Sequence, residues 1–417
     1  MNRREFLALA GAAAVTTMAK EGAAAAKAAP KAEEPFFRAR PHLQLLGEDR
    51  FGVVWMTSRP ATGWIEWSQD GGKTWTKVWT EEDGLRDANG LVHRAIVEEG
   101  YDPHKPLVYR VHSRAFAEFG GAHVKYDGDE AVLENRMGAV IRADGSVSFL
   151  MVNDVHGEAA TCPKLMDYVK EPVSFTVFNG DILDGINDEN LVVRQLLEPM
   201  ALVSERTQAA CWYLRGNHET RGAFARHLRD YLALPDGHFY GATTMGDARI
   251  VFIDSGEDKS DDHKEYSGLV DFDHYLERQR RFLEREFASD AWKKAGVRLV
   301  VTHIPPWFAY ENNEKMWWRN LRAPRLDRFF EILNGANVTL LIAGHVHRCT
   351  YGDPFTKRKY PEYRVYPIVA GGGWDRKAEN PLNRPTLGRF TVKGKEVTAT
   401  FVDIDGKTVF TRTYSAQ

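Results

Sequence analysis

The stretch Phe175–Asp184 is an apolar, β-prone run that stops at Asn179-Gly180 and is followed at once by a carboxylate, Asp181. This pattern predicts a buried strand that ends in a tight turn, with the acid held at the carboxyl end of the strand. In open α/β sheets, ligands bind at that edge. One such stretch is weak support for a binding site, because Gly-Asp after a strand is also ordinary turn chemistry.

Four other places along the chain repeat this arrangement, and each delivers side chains that bind metals. Apolar runs precede Asp154-Val155-His156, Gly216-Asn217-His218-Glu219, His303 and Gly344-His345-Val346-His347. Asp154 and His156 are two residues apart, so on an extended chain their side chains would leave on the same face. A carboxylate beside an imidazole suits a borderline transition metal. Five such runs together predict a metal centre far more strongly than any one of them.

The composition is that of a globular protein with a sizeable core, since 43% of the 417 residues are hydrophobic. The net charge of -3 gives no sign of a surface that binds polyanions, so no nucleic acid is expected as a stable partner. The three cysteines are too few for a disulfide scaffold, and their odd number leaves at least one unpaired. Buried thiols are therefore predicted.

Residues 1–34 have the composition of a targeting segment followed by a linker. Arg3-Arg4 stands directly before an apolar, Ala-rich run that ends near Met18, and Ala26-Lys27-Ala28 offers a cleavage site. The run is shorter than the ~20 apolar residues that span a bilayer, so no stable membrane span is expected. The pattern resembles a bacterial twin-arginine signal, which predicts the twin-arginine export machinery as a partner and a periplasmic or secreted location. A cytoplasmic protein with a frayed, basic start is the alternative.

From residue 35 to residue 140 the pattern predicts an all-β domain. Short alternating segments are separated by turn signals, as in a small β-sandwich. The predicted strands include Phe51–Met56, Gly63–Ser68, Thr74–Trp79, Val92–Val97 and Leu107–His112. The histidines of this region show no spacing typical of metal ligands, so no chemistry is expected there. Residues 141–417 then form a second domain, which carries all of the metal-binding motifs.

The motifs D-x-H, G-D-x-x-D, G-N-H-E, a lone histidine and G-H-x-H, in that order, resemble those of the calcineurin-like metallophosphoesterase superfamily over about residues 146–350. The preceding β-domain makes the chain similar to the purple acid phosphatases, whose catalytic domain follows a fibronectin III-like sandwich. The resemblance implies an α/β fold with a β-sandwich core flanked by helices. In one departure, Asp184 occupies the position of the metal-ligating tyrosine of the purple enzymes, so a tyrosinate-to-iron charge-transfer band is not expected.

The resemblance also implies two metal ions, divalent or of mixed valence. The first would be bound by Asp154, His156, Asp181 and His347, and the second by Asp181, Asn217, His303 and His345. Asp181 would bridge them, because a carboxylate has two oxygens and can hold two cations ~3.5–4 Å apart. Only two of these side chains are anionic, so positive charge would remain to attract a phosphate and to lower the pKa of bound water. Nitrogen and oxygen ligands of this kind suit Zn, Mn, Fe or Co.

His218 is the residue expected to act on the substrate beside the metals. It follows the predicted ligand Asn217, and it would protonate the leaving oxygen or hydrogen-bond the phosphoryl group, unless it only supports a ligand. Asn217 and His218 are therefore predicted substrate contacts, and Asp181 is the other predicted catalytic residue. Trp307 and Arg319 are predicted substrate contacts in an aromatic-rich segment, which could alternatively pack against the protein body.

Several acids near these motifs have predicted supporting roles. Asp184 and Glu219 could each orient a ligating imidazole, although Asp184 could equally be a turn residue. Asp254 is expected to be structural. The acidic loop Gly256–His263 is expected to be a solvated excursion.

Together these features predict a phosphoester hydrolase in which a metal-activated hydroxide attacks phosphorus, most simply a phosphatase acting on a phosphorylated small molecule. A phosphodiesterase acting on nucleotides or lipid headgroups is the alternative within enzymes. Outside enzymes, the alternative is a metal- or phosphate-binding relative that has lost catalysis. Such a relative would be expected to lack part of the ligand set, which is complete here.

Overall fold

A computed structural model describes residues 36–88, 90–306, 324–354 and 364–416. Residues 35–417 form one compact unit. The predicted signal and linker and the predicted substrate contacts Trp307 and Arg319 lie outside the described residues, so they stay predictions. In the described part of the chain, no helix is long and apolar enough to cross a membrane.

Strands make up most of the regular structure. The described residues contain β1 (Phe37–Leu45), β2 (Phe51–Ser68), β3 (Thr76–Trp79), β4 (Glu81–Glu82), β5 (Leu85–Arg86), β6 (Gly90–Val97), β7 (Leu107–Gly120), β8 (His123–Met137), β9 (Val147–Val152), β10 (Phe175–Asn179), β11 (Ala210–Leu214), β12 (Gly241–Met245), β13 (Ala248–Ile253), β14 (Val297–Thr302), β15 (Leu340–Ala343), β16 (Thr350–Gly352), β17 (Ile368–Ala370), β18 (Thr386–Lys393), β19 (Glu396–Asp403) and β20 (Thr408–Ser415).

The helices are fewer and mostly short. The α-helices of the described residues are α1 (Thr161–Met166), α2 (Glu189–Val192), α3 (Glu198–Thr207), α4 (Phe272–Ala288), α5 (Asp290–Lys294) and α6 (Asp327–Gly335). A π-helical segment, Val193–Leu197, joins α2 to α3. Short 3-10 helices lie at His218–Thr220, Ala225–Tyr231, Pro235–Gly237, Pro324–Leu326 and Pro381–Asn383.

Two large sheets position the motifs. The first has the strand order β20-β19-β18-β9-β10-β11-β1-β2-β7-β8, with β3 and β6 also paired to β2, and the second has the order β12-β13-β14-β15-β17-β16. Strands β9, β10 and β11 run parallel in the first sheet, and β13, β14, β15 and β17 run parallel in the second. The five strands that precede the motifs are buried along their whole length. Burial on both faces explains why they are continuous apolar runs in the sequence.

The core lies between the two sheets and on their outer faces. Trp212 on β11 stacks on Phe252 on β13 with ring centroids 4.0 Å apart, so the inner faces of the sheets interdigitate. Helices α1 to α3 cover the outer face of the first sheet through residues such as Leu165, and α4 to α6 cover that of the second through residues such as Phe329. These layers confirm the predicted α/β class. The cysteines are buried and unpaired, as predicted: Cys162, Cys211 and Cys349.

The N-terminal strands extend the first sheet. β2 is one long strand where two were predicted, and its pairing with β6 shifts register between Met56 and Ala61. Its first half pairs with β1 and β6, and its second half pairs with β3 and β7. Trp55 Nε1 donates a 2.8 Å hydrogen bond to Ser113 Oγ on β7, so the first half packs against the strands of the second. The region consists of strands, but its likeness to fibronectin III and its boundary at residue 140 stay predictions.

Candidate metal centre

The predicted ligands converge where the carboxyl ends of β9, β10, β11, β14 and β15 meet. Three groups of side chains have ligand atoms within 4.8 Å of one another, and one of them consists of His156, Asp184 and His218. The other two contain only predicted ligands and are called here the first and the second cluster: Asp154, His156, Asp181 and His347, and Asp181, His303 and His345. Asp181 belongs to both clusters. The remaining predicted ligand, Asn217, places its Oδ1 3.0 Å from His345 Nδ1. The structure therefore brings all of the side chains predicted as ligands together.

Asp181 stands between the two clusters and is almost completely buried. Its Oδ1 accepts a hydrogen bond from the backbone N–H of His218 at 2.9 Å. Its Oδ2 lies 3.1 Å from Nε2 of His303, in the second cluster, and 3.8 Å from Nε2 of His156, in the first. One carboxylate thus faces histidines of both clusters, which is the arrangement that a bridging ligand needs.

Asp154 is the other buried carboxylate among the predicted ligands. Its Oδ2 accepts hydrogen bonds from the amide of Asn153 and from the backbone N–H of His345, the latter at 2.9 Å. Its Oδ1 lies 3.2 Å from His347 Nε2, which is itself 3.1 Å from His156 Nε2. One oxygen is therefore engaged by the protein, and the other points at the histidines of the first cluster.

Two of these atom pairs are close without forming hydrogen bonds, and this supports a shared ligand. His303 Nε2 and Asp154 Oδ1 are buried and have no hydrogen-bond partner among the described residues, although carboxylate or imidazole atoms lie 3.1 and 3.2 Å away. Buried polar groups are normally satisfied. Lone pairs that converge on common space without pairing are expected of atoms that bind a cation. Imidazole and carboxylate donors suit divalent transition metals, so the residues present fit such ions.

The electrostatics of the site also favour a bound cation. Burial acts to raise the pKa of the Asp181 carboxyl, but the adjacent His303 outweighs it, and the pKa lies well below its usual range. Burial alone would lower the pKa of His303, yet the carboxylates of Asp181 and Asp154 raise it to about 10. Two buried carboxylates thus create a negative potential that favours positive charge between them. A divalent cation would be stabilised by the same potential.

Turns with left-handed backbone conformation orient the side chains of the predicted ligands. Among the described residues, ten non-glycine residues have positive φ, and half of them are predicted ligands: Asp154 (52°), His156 (48°), Asp181 (51°), His345 (67°) and His347 (48°). Each such residue costs roughly 1–3 kcal/mol, and such residues cluster at functional sites. The expectation that Asp154 and His156 leave an extended chain on one face is therefore wrong. Their turn is held instead by backbone hydrogen bonds to the C=O groups of Gly180 and Asp181, at 3.1 and 2.9 Å.

Glu219 holds the turns after β10 and β11 together. Its buried carboxylate accepts backbone N–H donors from Asp181 and Gly216 on Oε2, both at 2.9 Å, and from Ile182 and Leu183 on Oε1, at 2.7 and 3.0 Å. Burial and then the charge of Asp181 raise the pKa of Glu219 to about 7, and the N–H donors oppose this rise. The predicted role in orienting an imidazole is wrong, because Glu219 binds backbone rather than histidine.

Gly216 allows this close packing of the two turns. A Cβ atom at this position would lie 2.3 Å from Asp181 Oδ1 and 2.4 Å from the backbone nitrogen of Asp181. Any other residue would therefore displace the shared carboxylate. The glycine of the G-N-H-E motif is a steric requirement of the site rather than a requirement of the turn alone.

His218 lies at the edge of the first cluster, between the carboxylate of Asp184 and the guanidinium of Arg221. Its Nδ1 is 2.7 Å from Asp184 Oδ1, and its Nε2 is 3.1 Å from Nη1 of Arg221. Asp184 also approaches His156 Nδ1, at 3.4 Å, so it contacts two imidazoles, which agrees with the predicted orienting role. Burial lowers the pKa of His218, and Arg221 adds to this, against the opposing charge of Asp181.

The acidic loop Gly256–His263 reaches into the site, and the expectation that it is a solvated excursion is wrong at two residues. Glu257 is completely buried and binds the guanidinium of Arg221 at 2.8 and 3.2 Å. Asp258 Oδ2 lies 3.5 Å from His345 Nε2, on the side of the ring opposite Asn217. The loop therefore fixes Arg221 beside His218 and faces one predicted metal ligand.

Asp254 has the structural role that was expected. Its Oδ2 accepts hydrogen bonds from Arg215 at 2.7 Å and from the Tyr275 hydroxyl at 2.8 Å, and its backbone N–H and C=O bind the side-chain amide of Gln279. This network ties the end of β13 to helix α4.

Four residues at or beside the site were not predicted from the sequence: Arg221, Glu257, Asp258 and Trp374. Arg221 had a local signal, because it follows the G-N-H-E motif by two residues. Trp374 had one too, because it directly follows the Gly371-Gly372-Gly373 run. Glu257 and Asp258 had none, because their loop has the charge and glycine content of a solvated one.

The chain has recognisable relatives. Residues 147–349 match the family model described as calcineurin-like phosphoesterase. The structure is similar to that of the purple acid phosphatase PPD1 from yellow lupin (Lupinus luteus) seeds, with a TM-score of 0.64, 14% identity, and coverage of 90% of this chain and 74% of that chain. It is also similar to the structure of PhoD, with a TM-score of 0.59, 12% identity, and coverage of 92% of this chain and 94% of that chain.

At such low identities, the two structural similarities show a common fold alone. A comparison with curated protein sequences gave no match.

Proposed function

We propose that this chain, a hydrolase of phosphoric esters whose residues 147–349 match the calcineurin-like phosphoesterase family, is a dinuclear metal-dependent phosphatase. The observation that carries the proposal is the position of Asp181, a buried carboxylate shared by two clusters of ligand atoms. A carboxylate has two oxygens with which it can bind two ions at once. The similarity of this fold to that of a purple acid phosphatase agrees with the phosphatase class.

In this proposal the two clusters are the two metal sites. Asp154, His156, Asp181 and His347 hold one ion, and Asp181, Asn217, His303 and His345 hold the other. When bound, the ions would neutralise charge on the phosphoryl group and lower the pKa of a water nucleophile. The protein contributes the rest by placing groups around the phosphoryl position.

His218 is the proposed proton donor to the leaving oxygen. Asp184 binds its Nδ1, which holds the ring in place and stabilises the protonated form. The guanidinium of Arg221 lies at its Nε2, so a phosphate oxygen that enters there meets a cation as well as the imidazole. An incoming phosphate anion also opposes the lowered pKa of His218, since negative charge nearby favours the protonated ring.

A His218→Ala variant is expected to lower kcat by about a hundredfold to ten-thousandfold, the usual contribution of a positioned proton donor. Its metal content should stay that of the wild type, because His218 lies in neither proposed site. Steady-state kinetics and elemental analysis on the same preparation measure both quantities. His274→Ala, at a side chain that is 81% exposed on α4, is the matched control. Loss of metal from the His218 variant would instead assign it a structural role.

The phosphatase assignment itself is tested by comparing a monoester with a diester. We expect kcat/KM for p-nitrophenyl phosphate to exceed that for bis(p-nitrophenyl) phosphate by at least about tenfold, because the groups beside the metals, Arg221 and His218, favour a dianion. A reversed ratio would make the protein a phosphodiesterase. Absence of both reactions in protein that carries two metal ions per chain would refute catalysis.

A further inference from the structure

A small cleft opens beside the metal centre at the loop that follows β17. It has a volume of about 200 Å³ and is lined by residues that include His347, Gly373, Trp374, Asp375 and Asn383. His347 is a predicted metal ligand, so the cleft borders the first cluster. The ring of Trp374 also lies near His156 of the first cluster, with centroids 6.4 Å apart and an edge-on arrangement.

Trp374 differs from the other described tryptophans in its exposure. Its side chain is 45% exposed, and no other tryptophan in the described ranges is among the exposed large hydrophobic residues. Trp55, Trp212 and Trp292 are each at most 2% exposed. Leaving an indole in water beside a polar site gives up the stabilisation that burial would provide. A ligand that covers the ring would recover it.

The position of Trp374 is set by the metal-binding loops. The backbone N–H of Gly371 donates to the C=O of Ala343 at 3.1 Å, and that of Gly372 donates to Thr386 Oγ1 at 2.8 Å. Asn153, which also contacts the ligand Asp154, reaches the C=O of Gly372. A Cβ atom on Gly371 would lie only 1.9 Å from Asn153 Oδ1, so the loop packs directly on the site. The backbone that precedes Trp374 is therefore fixed against the predicted ligands.

We propose that Trp374 is a stacking platform for the alcohol part of the substrate, so that the enzyme prefers phosphoesters that carry a planar aromatic group. This inference rests on the proposed function, because it places the ester beside the first cluster. An indole face stacks on any flat π-system and gains little from an alkyl chain. Nucleosides and aryl alcohols share the required chemistry. The cleft between Trp374 and Asn383 then receives the ring, while the phosphoryl group stays at the metals.

The test compares planar and non-planar monoesters in three proteins: the wild type, Trp374→Ala and Trp374→Phe. For AMP and p-nitrophenyl phosphate, we expect Trp374→Ala to lower kcat/KM by about tenfold, mainly through KM, and Trp374→Phe to retain most of it. For glycerol 2-phosphate, both variants should stay within about twofold of the wild type. A preference for AMP over p-nitrophenyl phosphate that the alanine variant loses would identify the nucleoside as the group recognised. Tyr351→Ala, at another exposed aromatic residue, is the control.

Equal losses for planar and non-planar esters, or no loss for either, would overturn the role of Trp374. Elemental analysis checks that the variants keep their metal, so that a general loss of activity is not mistaken for a loss of stacking. A binding measurement separates this inference from the proposed function. If the wild type hydrolyses no phosphoester, the proposed function fails. The role of Trp374 can then still be tested by measuring the binding of AMP and of inorganic phosphate by calorimetry. Trp374→Ala should weaken the binding of AMP but not that of inorganic phosphate.

Discussion

An Asp181→Asn variant is expected to lose phosphoester hydrolysis almost completely and to bind both metal ions more weakly. The substitution removes one of the two carboxylates of the proposed sites and half of the proposed bridge. We expect kcat to fall by about a thousandfold or more, since charge stabilisation at the phosphoryl group depends on both ions. Metal affinity should fall by more than the ~10- to 100-fold that follows loss of an outer partner of a ligand.

Asparagine is the appropriate replacement, because it tolerates the left-handed backbone that Asp181 adopts at φ 51°. Its amide oxygen can also keep the hydrogen bond from the backbone N–H of His218. Metal content is measured by elemental analysis and turnover with p-nitrophenyl phosphate. Asp230→Asn, at a side chain that is 60% exposed, is the matched control. Turnover near that of the wild type would rule out a bridging Asp181.

A Glu219→Gln variant is expected to lower the free energy of unfolding by about 3 kcal/mol. The carboxylate of Glu219 accepts N–H donors from four residues of the two ligand-bearing turns. Glutamine keeps one acceptor oxygen but presents an NH2 group to the other two N–H donors, which are buried and lose their partner. Each unsatisfied buried group costs about 1–3 kcal/mol.

Urea-induced unfolding of the metal-free protein measures this loss. Using metal-free protein separates the contribution of the turns from that of metal binding. Glu205→Gln, at a side chain that is 53% exposed on α3, should change the free energy of unfolding by no more than about 0.5 kcal/mol. If the two variants unfold at the same urea concentration, Glu219 does not hold the turns together.

The candidate metal ligands could be predicted from the sequence because their signal is local. Each strand is a short apolar run, and each candidate ligand follows the last residue of its strand by one to four positions. Because the strands are parallel within each sheet, their carboxyl ends share an edge, and the side chains after them must meet there. No long-range contact is needed to predict this cluster. The prediction was wrong only for the backbone of Asp154 and His156, which lies in a turn rather than in an extended strand.

The groups that support the ligands were not predictable in this way. Glu257 and Asp258 come from a loop between β13 and α4 that has the composition of a solvated segment. Glu257 is buried because Arg221, 36 residues earlier in the chain, supplies the opposite charge. Glu219 likewise has three of its four N–H donors in the turn after β10, far from it in sequence. In a sequence, a charged residue whose partner is unknown cannot be distinguished from a charged residue on the surface.

The order and chemistry of the motifs thus determined the reaction class and indicated the candidate ligands, because sheet geometry sets which strand ends are neighbours. Only the folded chain decided which charges are buried, which glycine admits the shared carboxylate, and which tryptophan is left exposed beside the site. The reason is physical. A ligand motif consists of residues close together in the sequence. Burial, steric fit and charge pairing depend instead on atoms that distant segments of the chain bring into contact.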